Sequence, residues 1–234
     1  MGAAGVVVVI VAAVVLAVVL TRGGSASSNA PAIGNAASGL PGATDIETLF
    51  KGIPQKGLTL GSAFAPVTMV EYIDLQCPFC QQFETQVMPN IVRKYVRPGK
   101  VKVQVRILDF IGPDSSRGRK GMIAAAEQNK AFNFAQLLYF NQRTENSGWL
   151  SDNMVEQAAA SITGLKVRRL LSVQGSSAVA KQAKTFDAEA TADKVTGTPT
   201  LFVGKSGTKG KQVPLQSPTD QQTLVKSIDA ALAS

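Results

Sequence analysis

No polar side chain interrupts the chain from Ala3 to Leu20. As a helix that run would reach about 27 Å at roughly 1.5 Å per residue, enough to cross the hydrocarbon core of a bilayer. Further on, the patterns are those of a folded α/β domain. Val67-Thr-Met-Val-Glu-Tyr-Ile73 is mostly apolar and rich in β-branched and aromatic residues, which predicts a buried strand. Phe83, Val87, Ile91 and Tyr95 recur every four residues and predict one apolar face of a helix over Phe79 to Arg97, with a kink at Pro89. Val101, Val103, Val105 and Ile107 alternate with Lys102, Gln104 and Arg106, the signature of a strand over Val101 to Leu108. A long helical stretch follows, about 116–195, with breaks near Lys130, Ser147 to Leu150, Gly164 and Gly175. Its aromatics Phe132, Phe134, Tyr139, Phe140 and Trp149 are expected in the core of that block. Thr200 to Val203 and Gln212 to Leu215 read as short strands around a Gly-rich hairpin, Gly204 to Gly210, before an amphipathic helix from Thr219 to Leu232.

The order is therefore β-α-β, a helical block, then β-β-α. The first half implies a parallel pair joined by a right-handed crossover, and the second an antiparallel edge. Ala3 to Leu20 is expected to be an uncleaved anchor, with a cleaved signal peptide as the rival; no Lys or Arg precedes the run, as a signal's basic start would require. Residues 1–21 are thus an anchor or signal, 22–56 a linker rich in Gly, Ser, Ala, Asn and Pro at its start, and 57–234 the folded domain. Within the linker Thr44-Asp-Ile-Glu47 fits a capping box for a short helix ending near Lys51. Arg22 alone, read by the positive-inside rule, would leave the domain in the cytoplasm; the cysteine chemistry argues for the opposite side.

Composition narrows the chemistry. Of 234 residues 45% are hydrophobic and 17% charged, enough for a sizeable core. There is no histidine, so His-based triads, His metal ligands and His pH switches are excluded. Two cysteines, Cys77 and Cys80, are too few for a one-chain zinc module or a disulfide framework. The net charge is +8, and Arg93, Lys94, Arg97, Lys100, Lys102 and Arg106 are followed by no acid until Asp109. That run reads as solvated helix and strand faces, or as attraction to anionic lipid or cell-wall polymer. Nucleic acid is disfavoured, because no aromatics are interleaved.

Cys77-Pro-Phe-Cys80 follows the buried strand and opens the helix, the context a C-x-x-C redox pair requires. Pro78 fits the first helical turn, where its missing N–H is not needed. At the helix start Cys77 meets free backbone N–H groups and the positive dipole end, both of which favour the attacking thiolate. Cys80, one turn in, would be the resolving thiol. A purely structural disulfide would gain little from so short a loop, and half of an intermolecular zinc site is the remaining bland alternative. Glu71, a carboxylate on an otherwise apolar strand, would have a raised pKa if buried and could relay a proton to or from Cys80; an exposed edge position is the alternative.

The strand ending in Cys77-Pro-Phe-Cys80, the helical block and Val195-Thr-Gly-Thr-Pro-Thr-Leu-Phe-Val203 together resemble the DsbA-like thiol:disulfide oxidoreductases, over about 57–234, and in particular their membrane-anchored or secreted Gram-positive forms. The resemblance implies a thioredoxin-like α/β fold with an inserted helical domain and no cofactor. It makes Thr198-Pro199 the family's cis-proline loop, with Thr198 against the sulfurs, and sets Glu71 facing Cys80. It implies catalysis by Cys77 and Cys80 on unfolded or partly folded exported proteins, outside the cytoplasm, with reoxidation by a quinone-linked membrane partner. Phe79 stands where the most oxidising members carry His, which removes one stabiliser of the thiolate. Rival readings are a reductase or isomerase kept reduced by a membrane donor, and a non-catalytic chaperone using the insert to bind peptides.

Overall fold

β-branched residues on both faces of Val67–Ile73 (β3) suit a strand flanked on both sides, and it lies at the centre of the sheet. The computed structural model describes residues 39–234. β3 pairs in parallel with Val101–Ile107 (β4), from Val67 opposite Val101 to Ile73 opposite Ile107. On its other side β3 pairs antiparallel with Thr200–Lys205 (β5), which pairs with Lys211–Gln212 (β6). Beyond β4 lies a hairpin not anticipated from the sequence, Gln55–Lys56 (β1) and Thr59–Leu60 (β2), giving the order β1-β2-β4-β3-β5-β6. Two-residue strands are too short to show a period of two. β6 stops before Pro214, which has no N–H for a ladder, so this strand is shorter than the expected Gln212 to Leu215.

The crossover from β3 to β4 is one helical rod that alternates in type: α-helical over Pro78–Gln82 and Met88–Ile91, π-helical over Phe83–Val87 and Val92–Val96. Pro89 cannot return a hydrogen bond, and the backbone reaches it through the first π turn, with Met88 N–H donating to the Phe83 carbonyl five residues back. Phe83, Val87, Ile91 and Tyr95 are all buried, as their spacing predicted.

Between β4 and β5 run five helices, Pro113–Ala126, Ala131–Phe140, Asp152–Ala160, Val167–Val173 and Ser177–Ala192. Ser151 and Ser176 cap two of them, accepting from the N–H of Met154 and of Val179. Their aromatics are buried except Phe140, which is 53% exposed. The block closes on the sheet through Gly118, where an added Cβ would stand 2.6 Å from Leu150 Cδ2 and 3.0 Å from Leu75 Cδ1. The last helix, Gln221–Ala233, is capped by Asp220, which accepts from Thr223 N–H.

The folded part begins before residue 57. Residues 39–56, expected as linker, contain the helix Ala43–Phe50, whose Ile46 and Phe50 enter the core beside Ile53. Phe50 packs edge-on against Phe132, and Arg97 donates to the carbonyls of Leu49 and Lys51. Thr44 is not its cap: the helix starts one residue earlier, from Gly42 in a left-handed conformation at φ 86°. The Ala3 to Leu20 run and the rest of the linker lie outside the described residues. Among the described residues no helix is long and apolar enough to cross a membrane.

Candidate active site

Cys77 caps the helix that begins at Pro78, with extended backbone, so its side chain folds back over the first turn. Its Sγ accepts from the Cys80 N–H at 3.4 Å. On the opposite side the thiol donates to the Thr198 carbonyl at 3.2 Å, and the Thr198-Pro199 bond is cis. The cysteine pair and the Thr198-Pro199 loop are thus brought together as anticipated. Both cysteines are free thiols.

The two sulfurs differ sharply. Hydrogen bonding from Cys80 is the main influence on Cys77; with help from the Thr198 side chain and the Phe79 N–H it outweighs burial and brings the Cys77 thiol down to about 6. Cys80 is fully buried, and burial first, then Cys77 beside it, pushes its thiol well up. One thiol is thus lowered and the other raised, the contrast that an attacking and a resolving cysteine would require. Pro78 and Phe79 are exposed at the rim, Phe79 by 55%.

Glu71 is in the central strand between Val105 and Leu201, not at an edge. It is buried, and its Oε2 has no hydrogen-bond partner. Burial, and then the carboxylate of Glu84, hold its pKa well above the usual range. Glu84 was not anticipated, although it falls four residues after Cys80 and so on the same helix face. It too is buried, with its carboxyl pushed up to about 8 by burial, and it accepts from the Gln136 side chain. Glu71 and Glu84 are thus neighbouring buried carboxyls, both with raised pKa. Tyr139 stands close to the same groups: its hydroxyl donates to the Asp74 carbonyl at 3.0 Å, and burial, then Cys80, raise its pKa.

A second unanticipated set holds the cysteine loop in place. The Asp74 carbonyl accepts from the Cys77 N–H. The buried Asp74 carboxyl accepts from the N–H of Gln76 and of Ile111 and from the Ser115 hydroxyl; burial raises its pKa and these bonds oppose the rise. Gln142 donates to the carbonyls of Leu75 and Cys77, and Gln76 reaches Ser115 and Asn146. Ser115, Asn146 and Gln142 come from the helical insert, so the insert positions the motif. Among the described residues no cluster of three or more His, Cys, Asp or Glu is arranged to hold a metal ion.

A sheet order with a parallel centre, a cysteine pair at the start of the crossover helix and a cis-proline loop facing it define a class. The family described as thioredoxin matches residues 54–230. The chain is 27% identical over 180 residues to the probable disulfide bond formation protein D of Bacillus anthracis, covering 74% of this chain and 77% of that one. It is 31% identical over 99 residues to the protein of the same description from Bacillus cereus, covering 42% of this chain and only 46% of the relative. The solved structure of oxidised BdbD from Bacillus subtilis superposes with a TM-score of 0.68 at 22% identity, over 78% of this chain and 98% of that one. The chain belongs to the thioredoxin family and is similar to thiol:disulfide oxidoreductases of the disulfide bond formation type.

Proposed function

We propose that the protein introduces disulfides into exported proteins, outside the cytoplasm, using Cys77-Pro-Phe-Cys80. The observation that carries this reading is geometric: Cys77 caps its helix, accepts from the Cys80 N–H and faces the cis Thr198-Pro199 loop, beside a fully buried Cys80, an arrangement that lowers the Cys77 thiol to about 6. A stabilised thiolate stabilises the reduced form, and that makes the disulfide an oxidant.

The cycle follows from the two sulfurs. A substrate thiolate attacks Cys77 Sγ of the oxidised pair; the Cys77–Cys80 bond breaks and Cys80 leaves with the electron pair. Cys80 then takes up a proton, for which the buried Glu71, raised in pKa by burial and by Glu84, is the proposed relay. A second substrate thiolate attacks the substrate sulfur of the mixed disulfide. Cys77 departs as a low-pKa thiolate, which is the better leaving group. The substrate gains a disulfide and the protein two electrons. A membrane partner removes those electrons and restores the Cys77–Cys80 bond. An extended client segment would pair beside the Thr198-Pro199 loop, which faces Cys77.

The extracytoplasmic placement is supported by the Ala3 to Leu20 run and by the chemistry, since a cytosolic pair would be held reduced. Fusion of compartment-specific reporters after Ser234 tests it, with activity of the cytosolic reporter the adverse result. The redox direction is tested by equilibrating Cys77–Cys80 with glutathione. An oxidant should have a potential clearly above the roughly −270 mV of thioredoxin. A value at or below that would favour the reductase reading, to which Phe79 in the dipeptide is the one feature that points.

A further inference from the structure

We propose that the end of the sheet remote from Cys77 is a docking surface for a membrane bearing anionic headgroups. This inference does not depend on the redox direction. The turn before β3, residues 62–66, holds Phe64 in solvent, 94% exposed against 51–55% for Phe79, Phe110 and Phe140. The turn is firmly built. Phe64 N–H donates to the Ser62 hydroxyl, Ser206 N–H donates to the Pro66 carbonyl at 2.7 Å, and the Ser206 hydroxyl donates to the Ala65 carbonyl at 2.6 Å. A rigid turn that keeps a phenyl ring in water is unexplained by packing.

Cations stand on both sides of it. Lys102 Nζ donates to the Ala63 carbonyl at 3.1 Å, the Lys100 carbonyl accepts from Val67 N–H, and Lys205 pairs opposite Val67 in the sheet. Between Thr48 and Leu108 the chain has three acids, Glu71, Asp74 and Glu84, and all three are buried. The exposed positions of the same stretch include Lys51, Arg93, Lys94, Arg97 and Lys100. From elsewhere in the fold Asp229 reaches this side, where it accepts from the Tyr95 hydroxyl and offsets part of the charge. Lys209, in the neighbouring hairpin, is already paired with Asp193 and is not counted.

Lysines around an exposed aromatic side chain match the two parts of a lipid surface. Anionic headgroups attract the cations, and the ring enters the boundary between headgroups and acyl chains. A soluble polyanion would use the lysines and leave the ring without a partner. β3 spans seven residues, roughly 23 Å at about 3.3 Å per residue, with Phe64 before its first residue and Cys77 beyond its last. Docking by Phe64 therefore turns the cysteine face away from the bilayer, toward clients.

The test uses the full chain in lipid nanodiscs of phosphatidylcholine, with or without phosphatidylglycerol. Phe64→Trp adds a reporter whose emission is read as the difference from the parent protein, which contains the buried Trp149. We expect the difference emission to move to shorter wavelength in anionic discs only, to return in high salt, and to be lost when Lys100, Lys102 and Lys205 are changed together to Glu. Retained thiol–disulfide exchange in both variants shows that they fold. Equal emission in the two kinds of disc would overturn the proposal. So would a salt-insensitive shift in neutral discs, or a shift produced by soluble polyphosphate and not by lipid.

Discussion

Cys77 is acidic because the groups that donate to its sulfur are more effective than burial, and that balance can be moved one side chain at a time. In reduced protein at neutral pH, iodoacetamide should modify Cys77 and leave Cys80 untouched in the native state; faster modification of Cys80 would reverse the assignment of roles. Phe79 offers the thiolate only a ring whose π face is electron-rich. Phe79→His should lower the Cys77 pKa below about 6 and raise the potential by about 30 mV for each unit of that change. Thiolate absorbance titrated in both proteins checks it, and an unchanged pKa would leave the helix start and the Thr198-Pro199 loop as the determinants. Cys77, Cys80 and Pro199 were legible because their chemistry is written in short motifs. Glu84 carried a weaker signal, its spacing from Cys80. Asp74, Gln136, Tyr139 and Gln142 carried none, because a polar residue becomes part of a site only when folding supplies its partners.

At the scale of elements, the periodic segments were readable and the non-periodic ones were not. β3, β4 and the crossover helix announce themselves through alternation or a four-residue repeat. β1 and β2 are too short to do so; the short helix Ala43–Phe50 was expected, but not that Ile46 and Phe50 join it to the domain core. The interlock between elements is open to mutation. In Asp74→Asn one acceptor oxygen becomes a donor that faces the N–H of Gln76 or Ile111 or the Ser115 hydroxyl. The loss should be about 1–3 kcal/mol, read as a lower urea midpoint with an unchanged slope. At the β5–β6 hairpin a Cβ on Gly204 would stand 2.5 Å from Gly210 Cα, a backbone atom that cannot rotate away. Gly204→Ala should therefore destabilise by at least about 1 kcal/mol through forced backbone shifts, and a midpoint equal to that of the parent would show that the hairpin opens freely.

For the whole molecule, pH dependence should differ between redox forms. The Cys77 pKa is depressed from 9.0 to about 6, so it stabilises the reduced fold above the unfolded value and that contribution is lost as pH falls through about 6. Between pH 5.5 and 7.5 the reduced form should gain about 2 kcal/mol from this source, at about 1.36 kcal/mol per unit. Glu84 acts in the other sense: with its pKa raised to about 8, its contribution is lost as pH rises from the unfolded value toward 8. That slope is common to both forms. Denaturation midpoints of reduced and oxidised protein measured in parallel isolate the cysteine term, and a difference between forms that stays constant with pH would refute the thiolate assignment.

The contact between Cys77 and Thr198 joins residues 121 apart in the chain, and Tyr72 to Asp193 spans the same separation. All five insert helices lie inside that loop. Closing it is a long-range event, and such contacts form late because their entropy must be met before they reward the chain. A chain emerging residue by residue displays both thiols long before Thr198 appears. During that interval Cys77 lacks the help of Thr198, and what lowers its thiol is confined to its own helix start. The last part of its activation is tied to completion of the fold.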